Sequence, residues 1–94
     1  MIKINHLMIG DDKSDVRLLG YRLKVSECEY KLLVCIAERG TVSIDELSLL
    51  LGFDREKRGN VAVHICSINR KAEVIGGRKL VLCENSEYHF NEYM

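Results

Sequence analysis

The chain has 94 residues, 47% of them hydrophobic and 30% charged, and its 14 basic and 14 acidic residues give a formal net charge of zero. That composition describes one folded domain and excludes a disordered chain, and no apolar run approaches the ~20 residues that span a bilayer. The opening MIKINHLMIG lacks the basic and apolar pattern and the small-residue cleavage site of a secretory leader, so a cytoplasmic location without a membrane partner is expected. Four cysteines fall within expected helices (Cys28, Cys35, Cys66) and an expected strand (Cys83), where buried thiols behave as small apolar groups. No CxxC occurs and His6, His64 and His89 lie far apart, so free thiols are expected, with neither metal nor cofactor.

Residues 1–25 read as a small antiparallel sheet of three or four short strands. The run Ile2 to Ile9 alternates, with Ile2, Ile4 and His6 on one face; GDDKSD is a turn cluster, and strand character resumes in VRLLGYRLKV around Gly20. Asp11, Asp12 and Asp15 fit a solvated turn better than a cation loop, because Lys13 interrupts them. Residues 26–74 read as a three-helix core. Ser26-Glu-Cys-Glu29 is a capping box that opens a helix from Glu27 to Arg39, burying Tyr30, Leu33, Ile36 and Ala37 and stopped by Gly40. A short strand at Thr41-Val42 precedes a second box, Ser43-Ile-Asp-Glu46, which opens a helix through Leu51 with Leu47, Leu50 and Leu51 inward and Gly52 as its stop.

A polar connection leads to the third helix, Asn60 to Val74. Val61, Ile65, Ile68 and Ala72 recur at i, i+4, i+7 and i+11 as an inward stripe, while Asn60, His64, Ser67 and Lys71 repeat that spacing on another face. Between Arg55 and Lys79 seven basic residues face two acidic ones, a local balance of +5 in a neutral chain, which points to a polyanion. Residues 78–91 then read as a terminal hairpin, Lys79 to Cys83 and Glu87 to Phe90 around the turn at Glu84-Asn-Ser-Glu87. The fold class expected is α+β.

In this order the residues resemble the winged helix-turn-helix effector domain of OmpR/PhoB-type response regulators of bacterial two-component systems. The first helix of that family, L-T-x-x-E-[FY]-x-L-L-x-x-L-A, is matched by Val25-Ser26-Glu27-Cys28-Glu29-Tyr30-Lys31-Leu32-Leu33-Val34-Cys35-Ile36-Ala37. The V-S-x-E-E-L of its second helix is matched by Val42-Ser43-Ile44-Asp45-Glu46-Leu47. Its T-V-x-V-H-I-x-x-L-R-x-K is matched by the stretch from Asn60 to Lys71, and the G-Y-R-L of its wing by Glu87-Tyr88-His89-Phe90. The resemblance implies a transcriptional regulator that places its third helix in the major groove of double-stranded DNA, with the hairpin as the wing. It implies a phosphate contact for His64 and backbone contacts for Arg70 or Lys71.

Within that reading Arg58, Arg78 and Lys79 complete the basic set, and the short polar groups of Asn60, Ser67 and Asn69 suit base edges. Contact with about five phosphates would give a salt slope of −4 to −5. Asn69 and Ser67 replace positions that are often basic in the family, and the wing carries Glu84 and Glu87 where the family presents arginine. The family's receiver domain has no counterpart in the sequence, so the expectation is a free-standing winged helix or the effector part of a longer regulator. The loop between the second and third helices, used by family members to touch RNA polymerase, is short here. A second reading stays open: a protein-interaction or dimerisation module in which the acidic wing of one copy meets the basic helix of another. Catalysis is not expected, since no nucleophile elbow, phosphate loop or HExxH occurs and His64 and Cys66 lie ~200° apart around a helix.

Overall fold

The computed structural model describes residues 1–52 and 59–93. Its first unit is a four-stranded antiparallel sheet in which β1 (Ile2–Ile4), β2 (Leu7–Ile9), β3 (Val16–Leu18) and β4 (Tyr21–Arg22) lie side by side in chain order. The run expected as one alternating strand therefore folds back on itself. Asn5 adopts φ 52 and pairs Ile4 with Leu7 across a two-residue turn, a conformation its short polar side chain tolerates. His6 accordingly sits exposed in that turn rather than on the apolar face with Ile2 and Ile4. Leu7, Ile9, Val16 and Leu18 are buried on the inner face. The Tyr30 hydroxyl donates to the Gly10 carbonyl at 2.6 Å, tying the sheet to the first helix.

Helix α1 runs Glu27–Arg39, as its capping box dictates. Ser26 Oγ accepts from the Glu29 N–H at 3.2 Å, and Glu29 Oε1 accepts from the Ser26 N–H at 2.9 Å. Leu32, Leu33 and Ile36 are fully buried, whereas Tyr30 and Ala37 lie half-buried beside them. Gly40 ends the helix at φ 83, where a side chain would be strained. After β5 (Thr41–Ser43) comes α2 (Ile44–Leu50), and here the second box forms only in part. Ser43 Oγ accepts from the Glu46 N–H, but the Glu46 carboxylate turns to Arg39 of α1 instead of back to Ser43. Leu47 is buried and Leu51 half-buried, as expected. Leu50 is 46% exposed, so this short helix is anchored through Leu47, and the buried Ser48 hydroxyl is satisfied within the helix by donating to the Ile44 carbonyl.

Helix α3 spans Gly59–Gly76, slightly beyond the expected limits, and buries the whole stripe of Val61, Ile65, Ile68 and Ala72. The hairpin follows as β6 (Val81–Glu84) and β7 (Glu87–Phe90), and β5 adds to β7 to give a second sheet in the order β5-β7-β6. Asn85 and Ser86 turn it with φ 51 and 62, the paired positive values of a type I′ turn. The layout is α+β with three helices among the described residues, two antiparallel sheets and a hairpin wing, which is the winged-helix arrangement. The cysteines are free, yet Cys66 and Cys83 are exposed rather than buried: Cys66 lies off the buried stripe of α3, and Cys83 shares a strand face with Val81 and Tyr88 but sits nearer the wing tip, beyond the core. Among the described residues no helix is long and apolar enough to cross a membrane.

Candidate nucleic-acid interface

A helix that buries residues 61, 65, 68 and 72 presents outward the residues two places further on, about 200° around its axis. These are Val63, Ser67, Arg70 and Val74: Val63 is 65% and Val74 88% exposed, Arg70 is exposed and Ser67 half-buried. The outermost ridge of α3 is thus rotated from the expected polar stripe, which runs along one shoulder. On that shoulder Asn60 is exposed and His64 half-buried. Lys71 is half-buried, and its Nζ donates to Glu29 of α1 at 2.9 and 3.2 Å.

The Lys71 contact gives an expected site residue a partner within the fold. The Glu29 carboxylate is almost fully buried, which on its own would push its pKa up. The Ser26 N–H, the Lys71 ammonium and the Ser26 hydroxyl together outweigh that burial and hold it below the ordinary carboxylate value. Lys71 serves as the counter-ion of a buried carboxylate, so its charge is already engaged within the fold.

Asn69 is corrected. It is 9% exposed, and its side chain is fully engaged with the root of the wing: Oδ1 accepts from the Leu80 and Val81 N–H groups at 3.0 and 2.8 Å, and Nδ2 donates to the Val81 carbonyl at 2.9 Å. No base edge can reach it. A signal was present in the chain, since Asn69 stands four residues after Ile65 and three before Ala72, the spacing of the buried stripe itself.

The remaining cations gather at the base of the wing. Arg78 and Lys79 are exposed; the Arg78 guanidinium lies 5.7 Å from the centre of the Tyr93 ring, and the Lys79 carbonyl accepts from Asn91 Nδ2 at 2.9 Å. Across the wing tip Glu84 stands directly opposite Glu87, both exposed. Of the expected site, then, Asn60 and Arg70 occupy open surface of α3, His64 and Ser67 are half-buried on it, and Arg78 and Lys79 lie at the wing root. Arg58 lies outside the described residues, as do residues 53–58 of the connection between α2 and α3, the loop that the resemblance links to RNA polymerase. Neither protein-family models nor curated proteins give a match to this chain.

Proposed function

We propose that this chain is a double-stranded DNA-binding transcriptional regulator of the cytoplasm, similar to the effector domains of OmpR/PhoB-type response regulators, that docks α3 in a major groove. The observation that carries the reading is the outer side of α3 in a winged-helix layout, where Asn60 and Arg70 are exposed and Ser67 half-exposed beside the exposed Arg78 and Lys79. Arg70, Arg78 and Lys79 hold phosphates in this reading, and Asn60 and Ser67 read base edges. With Lys71 paired to Glu29, these three cations make about three phosphate contacts and give a salt slope of about −3.

Fluorescence anisotropy with a labelled duplex at low salt tests this. Arg70→Ala is expected to weaken binding on all sequences alike and to reduce the salt slope by about one. Absence of binding at tens of micromolar protein refutes the proposal. One observation favours a second reading, a protein-docking module: the most exposed apolar residues of α3, Val63 and Val74, share the ridge with Arg70. Salt-insensitive self-association weakened by Val63→Ser/Val74→Ser, with indifference to DNA, would establish that reading instead.

A further inference from the structure

The register of the N-terminal sheet places charges together that lie far apart in sequence. Lys3 pairs with Met8, Met8 with Arg17, and Arg17 with Arg22, so one row crosses all four strands on the outer face. Its three cations are exposed and Met8 is half-buried between them. Arg17 and Arg22 stand directly opposite each other, an arrangement that like charges disfavour unless an anion lies between them. The nearest carboxylate, Asp15, reaches only Arg17 Nε, at 3.9 Å and with both groups half in solvent, which compensates little. Asp11 and Asp12 lie with Asp15 in the turn at one end of the sheet, whereas the turns at the other end are Asn5-His6 and Leu19-Gly20. The row is therefore open to a large anion from the end away from the acidic turn.

We infer that the outer face of the N-terminal sheet, through Lys3, Arg17 and Arg22, is a second docking surface for the phosphate backbone of duplex DNA. This rests on the proposed function only for the first duplex, which α3 binds; the sheet's own affinity for phosphates is independent of it. Strands ~4.8 Å apart spread the row over about 14 Å, a length along which one strand of a duplex presents about four phosphates. Arginine forks suit phosphate oxygens better than point charges do. The inner side of β3 and the buried stripe of α3 meet in one core, so the outer side of the sheet and the outer side of α3 look away from each other. A single chain with phosphate contacts on both sides joins two duplex segments.

The test is a capture experiment with the full chain at low salt. One duplex is immobilised, protein is bound to it, and a second, fluorescent duplex of the same sequence is added. Wild-type protein is expected to retain the second duplex at one protein per two duplexes. Arg17→Glu/Arg22→Glu is expected to lower that retention at least tenfold, and Lys3→Glu to lower it more modestly. Circular dichroism checks that the double variant folds; Arg17→Ala/Arg22→Ala, which relieves the opposed charges, serves if it does not and is expected to lose retention as well. Retention unchanged in these variants overturns the inference while leaving the α3 reading to stand on the anisotropy of Arg70→Ala. Conversely, if Arg70→Ala leaves direct binding untouched and the sheet variants abolish it, the α3 reading fails and the sheet is the DNA site. Self-association of DNA-free protein in sedimentation, abolished by Arg17→Glu/Arg22→Glu, identifies the occupant as a second copy and overturns the assignment to DNA.

Discussion

Asn69→Ala removes one side chain and strands three backbone groups. The Leu80 and Val81 N–H groups lose their acceptor, and the Val81 carbonyl loses the amide donor, at a position only 9% exposed. Each such bond contributes ~1 kcal/mol net, and a buried group left bare costs more, so the substitution is expected to destabilise the fold by about 3 kcal/mol. For a domain of this size, 1 kcal/mol moves Tm by ~4–8 °C, which gives a fall of about 12–24 °C. Thermal unfolding followed by circular dichroism at 222 nm measures it directly. In parallel, duplex selection from a random pool reads base preference below the lowered Tm; a residue that locks the wing without touching bases leaves that preference as it was. A fall in Tm under about 4 °C together with relaxed base preference would falsify the structural role and return Asn69 to the DNA.

The acid limb of stability should depend on Glu29. Its folded-state pKa lies below the ordinary 4.5, so its contribution is present above that value and is lost as pH falls through the folded pKa. Tm measured from pH 7 to pH 3 should therefore drop less steeply in Glu29→Gln than in wild type, from a lower plateau at neutral pH; parallel curves would count against the Lys71 pair. At the wing tip, Ser86 holds φ 62, a conformation that costs most side chains ~1–2 kcal/mol. Ser86→Gly is expected to raise stability by about 0.5–1 kcal/mol after the entropy of glycine is set against it, and a lower Tm refutes the turn assignment.

Local signals carried much of the fold. The capping box at Ser26 and Glu29 placed the start of α1, and Gly40 its end, because both act within a few residues of the chain. The stripe of Val61, Ile65, Ile68 and Ala72 located the buried side of α3 by periodicity alone. Interactions that close over distance were not legible. Lys71 looks like one more outward cation until Glu29, 42 residues earlier, turns out to be its partner, and the cap already gave Glu29 a sufficient role. By residue type Asn69 resembles Asn60, although the two lie about half a turn apart around the helix. The cation row needed the strand register, which depends on a chain reversal at Asn5 that an alternating run conceals.

Charge placement also limits how a duplex can lie against the wing. Glu84 and Glu87 face each other at the tip, and the negative potential of a narrow minor groove repels such a pair. If α3 enters a major groove, the hairpin must lean away and leave only its root, Arg78 and Lys79, near the backbone. A grip of about three phosphates without a wing in the minor groove would be a weak one, close to the micromolar or poorer affinities of non-specific binding at physiological salt. Occupancy under those conditions calls for a second point of attachment on the same chain. The described residues outside α3 and the wing root offer one exposed cation row with little compensation, that of Lys3, Arg17 and Arg22. Where both duplex segments belong to one DNA molecule, two such weak faces on one domain would act at high effective concentration once either is engaged, which raises retention without any stronger single contact.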